Sequence, residues 1–287
     1  MKRLRLFSAV MLLIGAATIV RAQMPIDAKV APKHGQTITI DGDHGQLAAI
    51  IQKPELQAGQ QCPMVVLCHG FGGSKDGPLF ELIADTLQAH GIASIRFDFN
   101  GHGQSEGDFK DMTVPNEIED AKKVIDYVRD LRYVGSLAIV GHSQGGVVAA
   151  MTAGELEHHV IKAVALMAPA AVLRDDAIRG STMGKQYDPL DPPEYVDIWG
   201  KHLGRNYILT AFSLPIYETA AKYQGPALII HGNADRVVPY TYGERFHQLW
   251  PGSEYVMLEH YDHGFSQNIG HATDLVSHYL IKTLLSK

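Results

Sequence analysis

The sequence of 287 residues lacks any basic block or stripe, and its net charge of −6 is spread over interspersed acidic and basic residues. Proteins that bind nucleic acid neutralise phosphates with clustered lysine and arginine, so this composition argues against nucleic-acid binding. Internal repeats and low-complexity segments are also missing. With 46% hydrophobic and 20% charged residues, the composition is that of a soluble globular protein, and the length suits one large α/β domain or at most two domains.

Cysteine is scarce, because only Cys62 and Cys68 are present, one at each end of the apolar run "CPMVVLC". If this run is an extended strand with roughly 3.3 Å per residue, the two thiols lie about 20 Å apart. A disulfide needs Cα atoms within about 7 Å of each other, so the two cysteines cannot pair across a strand. We therefore expect a large hydrophobic core, rather than cross-links, to stabilise the fold.

The N-terminus differs in kind from the rest of the sequence. Three basic residues precede an apolar segment, residues 6–20, and an Ala-x-Ala-like cleavage site follows at Val20-Arg21-Ala22. This pattern predicts a cleavable signal peptide over residues 1–22, and hence a secreted or periplasmic protein. The alternative, an uncleaved anchor helix, is disfavoured because the apolar segment is short for a bilayer span. No cysteine follows the cleavage point to carry a lipid, so we expect no stable membrane anchor.

After the N-terminus, the pattern changes from an antiparallel pair to a strand–helix alternation. "QTITI" and "QLAAIIQ" predict the pair, joined by the turn-rich "DGDHG". Short, almost continuous apolar runs then alternate with helical patterns, as is typical of parallel strands buried on both faces. One helical pattern begins near Thr113, a candidate cap, with Pro115 in its first turn. The order predicts an α/β fold over residues 23–287, with a mostly parallel sheet and helices on both faces.

One stretch, about residues 172–224, interrupts this alternation and shows no strand of the sheet. It is rich in proline and aromatic residues, which favours an inserted lid over the strand ends. An ordinary helical connection with its own small core is the alternative.

Ser143 lies in "IVGHSQGGVV", residues 139–148, between a predicted strand and a predicted helix. Gly-His-Ser-Gln-Gly in this setting matches the G-x-S-x-G nucleophile elbow, in which a sharp turn exposes the serine at the carboxyl end of a strand. Glycines are needed on both sides of such a turn, because a Cβ would clash with the neighbouring backbone. We therefore predict that Ser143 is a nucleophile.

A nucleophilic serine needs a base within hydrogen-bond reach, and the base needs a group that orients it. In the elbow fold the acid and then the histidine follow the serine along the chain. Asp235 follows the penultimate predicted strand and His263 follows the last, so both are expected on the same rim as Ser143. The alternative base is His260, and the alternative acids are Asp262 and Asp98. Two other nearby histidines have structural roles in this interpretation: His142 packs, and His231 satisfies hydrogen bonds at its strand end.

Acyl transfer also needs backbone N–H donors that stabilise the oxyanion of the tetrahedral intermediate. We predict that Gln144, directly after the nucleophile, supplies one of them. Phe71 is predicted to supply the other, in the glycine-rich loop "HGFGGSKDG" of residues 69–77. A simple strand–helix turn, the alternative, accounts for one or two glycines but not for four.

With these residues in place, the sequence resembles the α/β-hydrolase superfamily, and within it the cinnamoyl (feruloyl) esterases. The resemblance covers nearly the whole mature chain. The motifs shared across the superfamily are "CHGFGGSK", "GHSQGG", "LIIHGNADRVVP" and "DHGFS". The narrower signal for the esterases is "RFDFNGHGQSEG" together with "GHSQGGVV" and "LPIYE".

The resemblance implies an α/β-hydrolase fold with a lid, and it assigns roles to particular residues. The implied catalytic triad is Ser143, Asp235 and His263, with Phe71 and Gln144 as the oxyanion donors. In such esterases the inserted lid grips the phenolic end of the acyl group with an acid and a tyrosine, and the matching residues are Asp176 and Tyr207. The sequence departs from some relatives at Met183, where they have a glutamine.

The expected function is that of a secreted serine esterase that hydrolyses hydroxycinnamate esters through an acyl-enzyme intermediate. Its expected partner is a small-molecule or polysaccharide-linked aromatic ester. No metal or cofactor is indicated, because the paired histidines of the sequence lack a metal-ligand spacing such as H-E-x-x-H. A general short-chain carboxylesterase, an acetyl esterase or a peptidase of the same fold is the nearest alternative. A non-catalytic binding protein is a more distant one, because such proteins usually lose a triad member and none is missing here.

Overall fold

The computed structural model describes residues 35–286, so the predicted signal peptide lies outside the described residues. In chain order the strands are β1 (Gln36–Asp41), β2 (Gln46–Gln52), β3 (Cys62–Cys68), β4 (Ala93–Phe97), β5 (Val134–His142), β6 (Ile161–Met167), β7 (Ser181–Thr182), β8 (Lys185–Gln186), β9 (Tyr195–Ile198), β10 (Lys201–Gly204), β11 (Ala227–Gly232) and β12 (Glu254–Leu258). The helices are α1 (Pro78–Ala89), α2 (Val114–Arg129), α3 (Gln144–Val160), α4 (Val172–Arg179), α5 (Arg205–Phe212), α6 (Ile216–Ala220), α7 (Thr241–Leu249) and α8 (Ile269–Leu285). A 3₁₀ turn spans Phe109–Asp111.

Eight strands form one sheet in the order β1-β2-β4-β3-β5-β6-β11-β12. The predicted pair, β1 and β2, is antiparallel, and β2 also runs antiparallel to β4. All other neighbours in this sheet are parallel. The mostly parallel α/β sheet predicted from the apolar runs is therefore confirmed, and the carboxyl ends of its parallel strands lie along one edge.

The core lies on both faces of the sheet, because alternate residues of each strand point to opposite sides. Met64 and Val66 of β3 belong to the cluster that includes the buried sides of α2 and α3. Val65 and Leu67 belong to a second cluster with the buried sides of α1 and α8. This two-sided burial explains why the strands have almost uninterrupted apolar sequences.

The start of α2 follows the predicted capping pattern. The Thr113 side chain accepts a hydrogen bond from the backbone N–H of Asn116, and Pro115 lies in the first turn, where a missing N–H costs nothing. Cys62 and Cys68 are free and buried at the two ends of β3, as their spacing predicts.

The segment 172–224, predicted as a lid, contains α4, α5, α6 and two β-hairpins, β7–β8 and β9–β10. No strand of this segment joins the main sheet, as predicted, but the four short strands of the two hairpins were not foreseen. Each hairpin closes through two residues with positive φ, the φ pattern of a type I′ turn: Met183 and Gly184 in one, Trp199 and Gly200 in the other. Methionine and tryptophan are unusual at such positions, so the sequence gives little sign of the turns.

Candidate active site

Ser143 lies at the junction of β5 and α3, in a backbone conformation that few residues other than glycine adopt, with φ 57° and ψ −123°. The flanking glycines allow this turn to pack tightly. A Cβ on Gly141 would lie 2.0 Å from the carbonyl oxygen of Gly145, and a Cβ on Gly145 would lie 2.1 Å from the carbonyl oxygen of Cys68. The glycine spacing of the motif therefore has a steric cause, and it holds the Ser143 side chain at the end of the strand.

Three of the predicted residues meet in one chain of hydrogen bonds. The Ser143 hydroxyl lies 2.8 Å from Nε2 of His263, and Nδ1 of the same ring lies 2.7 Å from Oδ2 of Asp235. An ionised carboxylate only accepts, so Nδ1 carries the ring proton and Nε2 is free to accept from the serine. Asp235 follows β11 and His263 follows β12, so adjacent parallel strands bring the two side chains to the same edge.

The Asp235 carboxylate is enclosed and fully hydrogen-bonded. Its Oδ1 accepts from the backbone N–H groups of Val237 and Val238, both at 2.8 Å. Its Oδ2 accepts from His263 and, at 3.2 Å, from Nε2 of His231. Burial alone would raise the pKa of this carboxyl, but the hydrogen bonds from the two histidines outweigh it and hold the pKa well below its ordinary value. Asp235 is therefore an anion at neutral pH.

His231 satisfies hydrogen bonds at the end of β11, as predicted, but its contact with Asp235 is not foreseen. The ring is completely buried, and its Nε2 also lies 3.0 Å from the carbonyl oxygen of Val238. Because both neighbours of Nε2 accept, this nitrogen carries the proton. The sequence feature that could have indicated this contact is the spacing of four residues between His231 and Asp235 around a tight loop.

His142, interpreted from sequence as a packing residue, has a more specific contact. Its Nε2 donates to the backbone carbonyl of His263 at 2.9 Å, and the two rings lie 5.0 Å apart. Burial lowers the pKa of His142 to about 4, with a further contribution from His263, so the ring is a neutral donor at neutral pH. The packing interpretation is incomplete, because this hydrogen bond fixes the backbone of the loop that carries His263.

The glycine-rich loop after β3 lies beside Ser143 and is held by His102, a residue not predicted from the sequence to belong to the site. The backbone N–H of Gly72 donates to Nε2 of His102 at 3.2 Å, and Gly73 N–H donates to the carbonyl of Gly70 at 2.9 Å. Burial lowers the pKa of His102 to about 3, so its Nε2 stays available as an acceptor. Phe71, the predicted oxyanion donor in this loop, lies between Gly70 and Gly72, and both of these glycines take part in the hydrogen bonds just described.

A cavity of about 330 Å³ opens at Ser143, and its walls come from the sheet edge and from the 172–224 segment. Phe71 and Gln144, the predicted oxyanion donors, line it, and so do Asp176 and Tyr207, the residues predicted to bind substrate. The other apolar lining residues include Val172, Leu173, Met183, Trp199, Val237 and Val238. The structure thus brings all seven predicted site residues to one place, with Asp235 behind His263.

Tyr207 and Asp176 differ in their surroundings. The Tyr207 side chain is buried, and its hydroxyl donates to Oε1 of Gln144 at 2.7 Å. Asp176 on α4 is half-buried, and burial raises the pKa of its carboxyl. Both lie on the side of a mostly apolar cavity that the 172–224 segment forms, and this cavity can accommodate an organic group with a polar end.

Comparison with known proteins places this geometry in a family. A model of the alpha/beta hydrolase fold matches residues 63–205. Est1E from Butyrivibrio proteoclasticus, solved with ferulic acid bound, is 29% identical and superposes with a TM-score of 0.82 over 87% of this chain and 100% of that chain. The chain belongs to the α/β-hydrolase superfamily.

Two further relatives of this hydrolase are more distant. XC6422 from Xanthomonas campestris, described as an α/β serine hydrolase without a lid, is 21% identical, with a TM-score of 0.61 over 90% of this chain and 99% of that chain. The uncharacterized protein YfhR from Escherichia coli O157:H7 is 26% identical over 244 residues, which cover 74% of each chain. The first of these shares the fold, and neither indicates a substrate.

The alternative acid and base residues of the hydrolase make other contacts. His260 is exposed, and the Asp262 carboxylate accepts from the backbone N–H of Ser266. Asp98 accepts from the backbone N–H groups of Lys75 and Gln104 and pairs with the Lys75 ammonium at 3.0 Å. Asp98 therefore ties backbone segments together and does not reach His263.

Within residues 35–286, no cluster of three or more histidine, cysteine, aspartate or glutamate side chains has an arrangement that could hold a metal ion. None of the described helices is both long and apolar enough to cross a membrane.

Proposed function

We propose that this hydrolase is a serine esterase that cleaves esters of hydroxycinnamic acids, such as ferulate, through an acyl-enzyme intermediate. The observation that carries the proposal is the hydrogen-bonded chain from Ser143 through His263 to Asp235, which opens directly onto the cavity. The apolar lining suits an aromatic acyl group, and Asp176 and Tyr207 offer polar contacts for its phenolic end. Similarity to Est1E, which binds ferulic acid, supports the same substrate class.

In the proposed mechanism, Nε2 of His263 takes the proton of the Ser143 hydroxyl as its oxygen attacks the ester carbonyl. The imidazolium that forms is stabilised by the buried Asp235 carboxylate. The negative charge on the carbonyl oxygen is stabilised by the backbone N–H groups of Phe71 and Gln144. His263 then donates its proton to the leaving alcohol, and the acyl group remains bound to Ser143.

Deacylation repeats these steps with water as the nucleophile. His263 takes a proton from the water as its oxygen attacks the acyl carbon, and the same proton then returns to Ser143 as the carboxylic acid leaves. His142 contributes by fixing the backbone of His263, so that the ring stays aligned with both partners through the cycle. No other group is needed to balance protons or electrons.

We also propose that the enzyme is exported, because residues 1–22 have the sequence pattern of a signal peptide. Export would bring the enzyme into contact with polysaccharide-linked aromatic esters as well as with small esters. N-terminal sequencing of the protein recovered outside the cytoplasm should give Gln23 as the first residue, and an N-terminus at Met1 would contradict export by cleavage.

The function is tested by kinetics on two esters and one variant. We expect kcat/KM for methyl ferulate to exceed that for 4-nitrophenyl acetate at least tenfold, after correction for the better leaving group of the acetate. Ser143→Ala should lower kcat about 10⁶-fold, as when a triad serine is removed elsewhere. Ser277→Ala is the matched control, since Ser277 is also buried but lies on α8 away from the cavity.

The possible outcomes separate the alternatives. Equal rates on the acetyl and feruloyl esters would point to a general carboxylesterase and would overturn the hydroxycinnamate proposal. Undiminished hydrolysis by Ser143→Ala would overturn the serine mechanism itself.

A further inference from the structure

A second cavity, of about 430 Å³, opens beside His263, and the mechanism above does not use it. The loops after β11 and β12 form its wall, which includes Arg236, Asp262 and Gln267. His263 and Val237 line both this cavity, the outer groove, and the apolar cavity described above. The two cavities therefore meet at the catalytic base.

We propose that the outer groove binds the alcohol portion of the ester, and that Arg236 selects alcohols that carry a carboxylate. This inference rests on the proposed function, because it assigns the apolar cavity to the acyl group. It makes Arg236 a specificity-determining residue for the leaving alcohol.

The position of the alcohol follows from the role of His263. A general acid must come within about 3 Å of the leaving oxygen in order to protonate it. The alcohol therefore departs on the His263 side of the ester, and the acyl group extends from the other side of the carbonyl carbon. When the acyl group fills the apolar cavity, the outer groove is the space next to His263 that can hold the alcohol.

Arg236 is exposed in this groove, and it forms no ion pair with a carboxylate of residues 35–286. Three other arginines of the described chain, Arg174, Arg179 and Arg205, each pair with an aspartate or a glutamate. A guanidinium binds a carboxylate well, because two of its N–H groups can donate in parallel to the two oxygens. Arg236 is therefore able to bind a carboxylate on the alcohol.

The other polar groups of the groove also favour an acceptor on the alcohol. Oε1 of Gln267 accepts from the backbone N–H of Asp262 at 2.9 Å, which leaves the NH₂ group of Gln267 to donate. The Asp262 carboxylate accepts from the side-chain hydroxyl and the backbone N–H of Ser266, and these hydrogen bonds hold its pKa below its ordinary value. The acceptors of the groove are thus used by its own loop, whereas its donors face the alcohol.

The first experiment uses the unaltered enzyme and changes the alcohol while the acyl group stays ferulate. It compares kcat/KM at pH 7 for the ferulate esters of glycolic acid and of 4-hydroxybutanoic acid, whose carboxylates are ionised, with the corresponding primary amides. The longer pair has nearly equal intrinsic reactivity, because its methylene groups separate the charge from the ester. We expect the carboxylate to be favoured about tenfold at one or both chain lengths, with the charge of Asp262 limiting the gain.

The groove is open to solvent, so salt should screen the interaction. Raising the salt concentration from about 20 mM to about 0.5 M should reduce the carboxylate-to-amide ratio toward one. Ratios within twofold of one for both chain lengths at low salt would overturn the inference.

The second experiment tests Arg236 directly. Arg236→Gln removes the charge, so the carboxylate-to-amide ratio should fall to within twofold of one. Arg236→Lys should give an intermediate ratio, because an ammonium keeps the charge but not the two parallel hydrogen bonds. A folded Arg236→Gln variant that keeps the full ratio would overturn the assignment to Arg236.

Arg129→Gln is the matched control, since it changes the net charge by the same amount. Arg129 is also exposed, but it ends α2 shortly before the start of β5, and so lies at the edge of the sheet opposite to Ser143. Its carboxylate-to-amide ratio should stay within twofold of that of the unaltered enzyme. An equal fall in Arg129→Gln and Arg236→Gln would show that net charge, rather than the groove, sets the preference, and would overturn the inference.

A neutral polyol tests another occupant of the groove. If the ferulate ester of glycerol is favoured over methyl ferulate while a carboxylate gives no advantage, the groove recognises hydroxyl groups and the inference falls.

Failure of the proposed function gives a different result. If ferulate esters are hydrolysed no faster than acetate esters of the same alcohol, the proposed function falls. If ferulate esters are hydrolysed faster than acetate esters but show a carboxylate-to-amide ratio near one, the proposed function stands and the inference alone falls.

Discussion

At the scale of single residues, Asp235 Oδ2 is shared between two histidines. His263 lies 2.7 Å from this oxygen and His231 lies 3.2 Å from it. Each histidine N–H polarises the carboxylate oxygen, so each weakens the electrostatic interaction of Oδ2 with the other histidine. His231 therefore moderates how strongly Asp235 stabilises the imidazolium of His263 during the proposed reaction, and it also keeps the carboxylate in place.

This sharing makes His231→Leu informative. With one donor lost, Asp235 should stabilise the imidazolium of His263 more strongly, so the acidic limb of kcat/KM against pH should move to higher pH. Looser positioning of the carboxylate should also lower kcat/KM about tenfold at the optimum. A pH profile of methyl ferulate hydrolysis measures both effects.

His231→Gln is the control, because a glutamine amide can donate to Asp235 from a similar position. Its acidic limb should stay close to that of the unaltered enzyme. If His231→Leu folds, as judged by circular dichroism, and keeps an unchanged pH profile, His231 has a structural role alone.

The catalytic residues could be predicted from the sequence because each of them directly follows a predicted strand. Ser143, Asp235 and His263 each directly follow an apolar run, and parallel strands bring their carboxyl ends to one edge. The contacts that His102 and His142 make with the loops of the site, and the contact of His231 with Asp235, could not be predicted in this way. Their contacts depend on the exact course of loops, and the pairs they form are separated by up to 121 residues in the chain.

At the scale of elements, helix α3 begins directly after Ser143 of the elbow and packs closely on α6 further along. A Cβ on Gly154 of α3 would lie 2.1 Å from the carbonyl oxygen of Thr219 in α6. We expect Gly154→Ala to lower the free energy of unfolding by about 1–3 kcal/mol, because the two helices must move apart. Urea unfolding followed by circular dichroism measures the loss.

The matched control is Gly135→Ala in β5, where the nearest atom to the new Cβ is 3.5 Å away, an ordinary contact distance. This variant should stay within about 0.5 kcal/mol of the unaltered protein. Equal stabilities for the two variants would contradict the close approach of α3 and α6.

Elements could be predicted where hydrophobic periodicity was strong, as in β3 and α2. They were missed in the segment 172–224, where the hairpin strands have two to four residues each. Such strands are too short to show alternation, and their turns use Met183 and Trp199 in place of the asparagine or aspartate that usually marks a type I′ turn.

At the scale of the whole molecule, stability should depend on pH through buried groups of opposite kinds. Burial lowers the pKa of His69 and His142 to about 4 and that of His102 to about 3. Below pH 6.5 the unfolded chain therefore binds three protons that the folded protein does not. Burial also raises the pKa of Asp120 to about 6 and that of Glu117 well above its ordinary value, so the folded protein binds two protons that the unfolded chain lacks above about pH 4.5.

The balance is one extra proton on the unfolded chain between about pH 6 and pH 4.5, so acidification should lower stability there by about 1.4 kcal/mol per pH unit. Below pH 4.5 the unfolded chain also protonates Asp235, whose pKa is depressed in the folded state, and the loss should become steeper. Urea unfolding at half-unit intervals of pH measures this curve. Stability that rises on acidification from pH 6 would contradict the neutral state of the three histidines.

Cys62 and Cys68 lie at opposite ends of the central strand β3, and both side chains are buried. Burial raises the pKa of the Cys68 thiol, so the reactive thiolate is suppressed as well as hidden. Because the native structure holds no bond between the two thiols, its formation should not require an oxidoreductase or a particular redox poise. Polypeptide folded under reducing conditions and polypeptide folded under oxidising conditions should reach the same native state.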